Sequence, residues 1–134
     1  MDLDQAMIVA GIGCREGATA QEIEAAIAAA LSNGGLAKDA LNLIATSSAK
    51  AAEQGISAAA SARGLRLMLV EQVALEAASG RAVTKSERVQ ELMGVPSVAE
   101  CAALAAAGAA ARLVVPRVAV GPATCALAMA GDAP

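Results

Sequence analysis

The chain has 134 residues and a net charge of −3, and 57% of its residues are hydrophobic, with 38 alanines but no aromatic residue and no histidine. This length suits one domain with its own hydrophobic core, and without histidine no Ser-His-Asp or Cys-His catalytic group can form within the chain. The acidic balance, without a basic cluster beside aromatic residues, argues against a nucleic-acid-binding surface.

The first predicted element is an apolar strand over residues 7–12 that leads into a glycine-rich loop. Three glycines, Gly11, Gly13 and Gly17, let the backbone turn sharply and come close to a ligand. Their spacing matches neither the dinucleotide fingerprint nor a Walker loop, so we do not expect a nucleotide site. The glycines either shape an anion-binding loop or serve only the geometry of a turn, and spacing alone does not separate these interpretations.

A helix is predicted to begin at Thr19, because Thr19 and Glu22 have the spacing of a capping box, and to end at residues 33–35, Asn-Gly-Gly. The free N–H groups at the start of such a helix attract anions. Arg15 adds a permanent positive charge and a fork of donors that suits carboxylate or phosphate. The loop over residues 11–19 is therefore a candidate anion-binding segment.

The next elements are two further strands with a helix between them. Residues 41–45 form an apolar run that ends in the polar residues 46–48, which predicts a second strand. Lys50 and Glu53 follow at the spacing of an ordinary surface pair on a helical turn, and a helix comes after them. The continuous apolar character of residues 65–70 predicts a third strand that is covered on both faces.

Three more helices are predicted, over residues 72–79, over residues 87–93 and from Ser97 onward. Ser97 and Glu100 repeat the capping-box spacing, and Gly108 ends the helix that they open. The buried stripe of that helix is expected to consist of Val98, Cys101, Ala102 and Ala105.

The last elements are predicted to form a hairpin. Residues 112–115 are a fourth strand, residues 116–122 a turn and residues 123–129 a fifth strand. Because the connection is short, these two strands should be antiparallel.

This alternation of strands and helices predicts an α/β fold, a three-layer sandwich around a mainly parallel sheet of about five strands with a C-terminal antiparallel hairpin. In such a sheet the loops that leave the parallel strands meet at one edge, where ligands bind. That edge should gather the loop over residues 11–19, residues 46–50, Glu71 and the helix start at Ser97. Arg15 and Lys50 would then converge on a ligand that carries several carboxylates.

The number and spacing of the cysteines indicate the cellular compartment of the protein. Cys14, Cys101 and Cys125 are odd in number and lack the close spacing of metal ligands, and no signal-type segment precedes residue 7. These features indicate a reducing cytoplasm. The alanine runs over residues 102–111 are too short to span a bilayer. We therefore expect a cytoplasmic protein with one domain over residues 1–134, of which residues 1–6 are loosely held, and with no membrane segment, metal or cofactor.

Four segments carry a family resemblance. They are residues 11–19, Ala45-Thr46 with Lys50, Glu53 and Gly55, residues 94–104, and Val114-Val115-Pro116-Arg117. In this order they resemble the signatures of the CobE/CbiG C-terminal domain family of cobalamin biosynthesis, over roughly residues 7–130. The chain is most similar to the stand-alone members of that family in the aerobic pathway. The resemblance implies an α/β fold and a tetrapyrrole ligand.

Two positions depart from the family pattern. Ser48 stands where the family often has an acidic residue that could act as a base, and Arg117 stands where a lysine is common, which preserves the charge. CbiG proteins open a lactone ring on a cobalt-precorrin and carry further N-terminal domains, which we expect this chain to lack. The resemblance therefore implies the ligand more strongly than it implies hydrolysis.

The interpretation from the residues and the resemblance together is a protein of cobalamin biosynthesis that binds a precorrin or corrin intermediate as an accessory or carrier protein. Other cobalamin-pathway enzymes are its further expected partners. The candidate substrate-binding residues are Gly11, Gly13, Cys14, Arg15, Gly17, Thr19, Thr46, Lys50, Ser97 and Arg117.

Two alternatives stay open. One is a small precorrin lactone hydrolase with Glu53 or Glu71 as the base, Lys50 as an electrostatic stabiliser and backbone N–H groups of the glycine loop as an oxyanion site. The other is a structural subunit that only docks on an enzyme. Cys14 lies beside Arg15 and near a helix start, which could activate its thiol, but no histidine is present to assist it, so we interpret it as a packing residue.

Overall fold

Strands and helices alternate along the chain in the computed structural model, which describes residues 7–131. Residues 1–6, which we expected to be loosely held, lie outside the described residues. The strands are β1 (Ile8–Cys14), β2 (Leu43–Ser47), β3 (Leu67–Val70), β4 (Arg112–Val120) and β5 (Ala123–Met129). The helices are α1 (Ala20–Asn33), α2 (Gln54–Ala62), α3 (Gln72–Ala78), α4 (Glu87–Met93) and α5 (Val98–Ala107), with 3₁₀ turns at Ser48–Lys50 and Ser79–Arg81.

The five strands form one sheet in the order β3-β2-β1-β5-β4. β1, β2 and β3 are parallel to one another, whereas β5 is antiparallel to both of its neighbours, β1 and β4. The predicted α/β fold, a three-layer sandwich around a mainly parallel sheet of about five strands with a C-terminal antiparallel hairpin, is thus confirmed.

The sheet divides the core into two apolar layers. On one face α1 and α2 pack against strand residues such as Ile12 and Ile44. On the other face α3 and α5 pack against residues such as Val9 and Ala45. Neighbouring residues of β1 and of β2 therefore enter opposite layers, as the pleat of a strand requires. The apolar runs of these two central strands are explained by burial on both sides.

Helix α5 lies unusually close to the middle of the sheet, and Gly11 makes this possible. A Cβ added at Gly11 would collide with the carbonyl oxygen of Ala99 and would lie 2.6 Å from the backbone nitrogen of Ala103. Both obstacles are backbone atoms of α5, which cannot rotate away as a side chain can. The absent side chain of Gly11 and the small side chains of α5 therefore set the distance between helix and strand.

The third strand corrects one prediction. We expected residues 65–70 to be covered on both faces, but β3 is the edge strand of the sheet, and Met68 and Leu69 are 40% and 42% exposed. These two side chains point to opposite faces, so neither helical layer covers this part of the strand. A continuous apolar run does not separate a central from an edge position when the strand has only four residues.

The hairpin is confirmed, but its turn was predicted wrongly. Strand β4 continues through Pro116 to Val120, and the connection to β5 is only Gly121 and Pro122. The pairing of β4 with β5 is irregular between Val115 and Val118. Because β4 is an edge strand with a bulge at this point, the missing N–H of Pro116 breaks no ladder bond.

Helix α5 begins at Ser97 and ends at Gly108 as predicted, but its burial differs from the predicted stripe. The residues from Val98 to Leu104 are all buried, whereas Ala105 is half-buried. Residues beyond the sheet therefore cover the first two turns of the helix, and a helix that is apolar all round except for Glu100 suits such a position.

We expect Gly11→Ala to lower the free energy of unfolding by about 3 kcal/mol or more, because the new methyl group meets the backbone of α5 rather than a flexible side chain. Urea denaturation of the purified variant measures this loss. Gly80→Ala is the matched control, since a Cβ at Gly80 meets no atom within 4 Å. Equal stability of the two variants would contradict the close approach of α5.

Candidate functional site

The carboxyl ends of β1, β2 and β3 lie at one edge of the sheet, because these strands are parallel. The turn between β4 and β5 joins them there, since Cys14 pairs with Ala123 and the backbone N–H of Arg15 donates to the carbonyl of Pro122 at 2.9 Å. The start of α5 lies at the same edge, because a Cβ on Gly13 would contact the side chain of Val98 at 3.6 Å. The glycine loop and the Ser97 helix start thus share one edge, as predicted.

The loop after β1 is fastened to the turn after β2 by Glu53. One carboxylate oxygen of Glu53 accepts a hydrogen bond of 2.9 Å from the backbone N–H of Gly17. Gly17 has φ +83°, a left-handed conformation that glycine adopts readily. Arg15 is exposed in this loop and Lys50 is half-buried in the neighbouring 3₁₀ turn. The contact of Glu53 therefore holds the backbone of the Arg15 loop beside the turn that carries Lys50.

Cys14 lies between these two segments and is half-buried. Burial raises the pKa of its thiol above the ordinary value, Lys50 lowers it by a smaller amount, and Glu53 raises it. The thiol is therefore the stable form at neutral pH, and the nucleophilic thiolate is disfavoured. These electrostatics support a packing role for Cys14.

The predicted hydroxyl residues have internal partners. Thr19 and Glu22 form the predicted capping box, with bonds of 3.1 Å from the N–H of Glu22 to Oγ1 of Thr19 and 2.9 Å from the N–H of Thr19 to Oε1 of Glu22. The hydroxyl of Thr46 is buried and donates to the carbonyl of Ile12 at 2.7 Å. Ser97 is buried and accepts a bond of 3.2 Å from the N–H of Glu100. Only Thr19 of these three candidates is exposed.

The remaining candidates are more scattered. Gly11 and Gly13 are buried under α5, and their contact with a ligand stays a prediction. Glu71 is exposed at the carboxyl end of β3, on the same edge as Lys50. Arg117 is half-buried on β4, three residues before the end of that strand, which places it about 10 Å below the edge. The structure thus groups Cys14 to Thr19 with Lys50 and Glu53 and leaves Arg117 apart.

The sequence did not predict the burial of one charged residue, Glu100. The side chain of Glu100 is fully buried, although the sequence pattern had assigned it to a capping box with Ser97. Its carboxylate does not return to the N–H of Ser97. Instead, Oε1 accepts bonds of 2.8 and 2.9 Å from the backbone N–H groups of Val83 and Thr84, and Oε2 accepts bonds of 2.6 Å from the Thr84 hydroxyl and 2.8 Å from the backbone N–H of Arg117.

These four bonds decide the ionisation of Glu100. Burial raises the pKa of the carboxyl group, but the donors from Arg117, Thr84 and Val83 outweigh it, so the pKa is lowered overall. The carboxylate therefore joins α5, the segment before α4 and the bulge of β4 as a buried anion. The available signal was a single acidic residue within the apolar run over residues 98–107.

Comparison with known proteins assigns the chain to a family. The family model described as the cobalamin synthesis G C-terminus matches residues 8–128. The chain belongs to this family. The resemblance of its sequence segments is thereby confirmed, and the chain is a cobalamin biosynthesis protein.

Individual relatives agree with this assignment. Protein CobE from Sinorhizobium sp is 37% identical over 121 residues, which are 90% of this chain and 79% of that protein. A crystal structure of CobE, a protein from the cobalamin (vitamin B12) biosynthetic pathway, superposes with a TM-score of 0.87 at 29% identity and covers 92% of this chain and 90% of that chain. The cobalamin biosynthesis protein chiG from Agrobacterium tumefaciens is 46% identical, with a TM-score of 0.75 and coverage of 94% and 100%.

Two further observations concern residues 7–131 only. No helix in this part of the chain is both long and apolar enough to cross a membrane. Nor do three or more histidine, cysteine, aspartate or glutamate side chains gather there as a metal site would require.

We expect Glu100→Gln to lower the free energy of unfolding by about 3 kcal/mol at pH 7, because the amide nitrogen cannot accept the bonds that one carboxylate oxygen accepts. The folded-state pKa lies below the ordinary value of 4.5, so the carboxylate stabilises the protein above that value and this contribution is lost as the pH falls through the folded pKa. The difference between wild type and variant should therefore shrink below pH 4.5.

Urea denaturation at pH 7 and at several values below pH 4.5 measures both effects. Glu22→Gln is the matched control, because glutamine can replace glutamate in a capping box. A wild type and a Glu100→Gln variant of equal stability at pH 7 would contradict the role of the buried carboxylate.

Proposed function

We propose that this cobalamin biosynthesis protein binds a precorrin or corrin intermediate at the carboxyl edge of its sheet, as an accessory or carrier protein in the cytoplasm. The observation that carries the proposal is the hydrogen bond between Glu53 and Gly17, which holds the Arg15 loop beside the Lys50 turn. Family membership indicates the biosynthetic pathway, and the cationic residues at this edge support the binding of a carboxylate ligand.

The chemistry of such intermediates fits the edge. Precorrins and corrins carry acetate and propionate carboxylates around an apolar ring. The guanidinium of Arg15 is exposed, and Lys50 is only half-buried, so both can reach carboxylates of a ligand at the surface. Charge-assisted hydrogen bonds of this kind are stronger than those between neutral groups. Other enzymes of the pathway, which make and use the intermediate, are the proposed partners.

The contact of Glu53 also weighs against the alternative of a lactone hydrolase. A general base must lie within hydrogen-bonding reach of the attacking water, and one oxygen of Glu53 is already engaged by the loop. The carboxylate of Glu53 accepts the N–H of Gly17, which supports a positioning role for this residue. Glu71 is exposed at the end of β3 and is the remaining candidate for a base.

We expect Arg15→Ala or Lys50→Ala to weaken ligand binding by roughly ten- to a hundredfold, since each charge-assisted contact contributes about 1.5–3 kcal/mol. The double variant should lose more than either single variant. Raised salt should weaken the wild type more than the double variant, because only the wild type has both attractions to screen. Titration by visible absorbance with cobyrinic acid, a corrin with several free carboxylates, measures these affinities.

Lys38→Ala and Arg66→Ala are the matched controls. Both residues are exposed. They precede β2 and β3 in the chain and so lie at the amino ends of the parallel strands, away from the proposed site. They remove the same charges from the protein without touching the proposed site. If the controls weaken binding as much as the site variants do, net charge rather than a site explains the affinity.

Turnover distinguishes the carrier from the hydrolase. A carrier should leave the lactone ring of a precorrin lactone intact, and Glu71→Gln should strengthen binding by a few-fold because it removes a negative charge from the edge. The measurement is the mass of the ligand after incubation, together with its affinity. Ring opening by the wild type that is lost in Glu71→Gln would establish hydrolysis instead.

A further inference from the structure

Two residues at the start of α2 depart from the preferences of helices. Glu53 is the N-cap, a position that favours serine, threonine, asparagine and aspartate, and its side chain makes no capping bond to its own helix. Gly55 is the second residue of α2, although glycine is one of the weakest helix formers. Local helix stability therefore explains neither residue, and both have contacts in the Arg15 loop instead.

Gly55 packs directly on the backbone of that loop. A Cβ added at Gly55 would collide with the carbonyl oxygen of Ala18 and would lie 3.0 Å from the carbonyl carbon of Thr19. Both obstacles are backbone atoms, so no side chain can rotate away to make room. The hydrogen that takes the place of the Cβ points at the oxygen of Ala18, as in a weak Cα–H···O bond. The absence of a side chain at Gly55 therefore lets α2 close on the loop.

Glu53 connects the loop to the neighbouring turn through polar bonds. Its carboxylate accepts the N–H of Gly17 at 2.9 Å, and its own N–H donates to the carbonyl of Lys50 at 3.0 Å. Within the loop, the N–H of Ala18 donates to the carbonyl of Arg15 at 3.2 Å. These three bonds form a continuous link between the backbones of the two cationic residues.

From these contacts we infer that Glu53 and Gly55 act together as positioning residues, which fix the Arg15 loop relative to Lys50 before any ligand binds. We call their joint contact with residues 17–18 the α2 clamp. The inference rests on the proposed function and adds Gly55 to the residues that determine its geometry. A loop that is already in place loses little conformational entropy when a carboxylate binds, whereas a free loop loses more.

Hydrogen exchange of the Gly17 N–H, followed by NMR, measures the α2 clamp without a ligand. Glu53→Ala removes the acceptor of this N–H, and Gly55→Ala forces α2 away from Ala18. Both variants should accelerate the exchange by about tenfold or more, because the loop opens more often. Glu53→Gln keeps an acceptor oxygen and should exchange nearly as slowly as the wild type.

The affinity for cobyrinic acid tests whether the α2 clamp serves binding. Glu53→Ala should bind roughly tenfold more weakly than Glu53→Gln, which removes the same charge but keeps the acceptor. Gly55→Ala should lose a similar factor relative to the wild type. In an Arg15→Ala background these differences should vanish, whereas a general loss of structure would add to the effect of Arg15→Ala.

Ala58→Gly is the matched control for the stability of α2. Ala58 is exposed on the same helix, and glycine at this position weakens the helix by its low propensity alone. The variant should unfold at a lower temperature but keep the wild-type exchange at Gly17 and the wild-type affinity. If it changes both as much as Gly55→Ala does, the stability of α2 explains the results and the inference is wrong.

The outcomes separate the inference from the proposed function. If exchange at Gly17 is unchanged in Glu53→Ala and Gly55→Ala, the α2 clamp does not hold the loop, and the inference is wrong for any ligand. If exchange accelerates while only Arg15→Ala weakens binding, the proposed site stands and the positioning role is wrong. If the wild type does not bind cobyrinic acid, the proposed function fails and the positioning role fails with it.

Discussion

The contact between α5 and β1 at Gly11 governs the arrangement of this fold. The carbonyl of Ala99 occupies the space that a side chain at Gly11 would need, so the strand must carry a glycine there and the helix must carry small residues. A chain without aromatic residues cannot fill wide gaps, and close approach keeps its interior densely packed. The same contact fixes the distance of α5 from the sheet, while the Ser97 cap fixes where the helix begins.

Glu100 adds a polar constraint to this apolar one. A buried carboxylate is costly unless donors replace its water, and here three backbone N–H groups and one hydroxyl do so. Because these donors come from the segment before α4 and from the bulge of β4, two irregular segments are held by one side chain. Helix α4 buries none of its residues fully, and such polar bonds add to the partial packing of Val89 and Met93 against the core. Two further bonds act in this region. The backbone N–H of Ser86 donates to the carbonyl of Pro96, and the side-chain amide of Gln72 donates to the carbonyl of Met93.

The features that could be predicted from the sequence depend on neighbours along the chain. The capping box of Thr19 and Glu22 needs only a three-residue spacing, and the hairpin follows from a short connection. The features that could not be predicted depend on the sheet order or on distant partners. Strand β3 is exposed because it is one of the two outermost strands of the sheet. Pro116 is tolerated because β4 is the other outermost strand. Glu100 has the same local spacing as Glu22, yet its carboxylate binds residues 16 and 17 positions away. The capping-box spacing does not distinguish these two glutamates, and only the apolar run around Glu100 sets it apart.

The openness of the candidate site bears on the kind of binding that it can support. Arg15 is exposed in a loop whose link to the neighbouring turn is the bond from Gly17 to Glu53, so water and salt reach the proposed contacts. Exposed ion pairs contribute less free energy than buried pairs that are fully hydrogen-bonded. A protein that stores its ligand would need deeper burial, as enclosed ligand pockets provide. A protein that passes an intermediate to another enzyme needs rapid release, and release rates account for most differences in affinity. The exposed charges at this edge would therefore suit the proposed carrier, which must release its ligand, better than a protein that stores it.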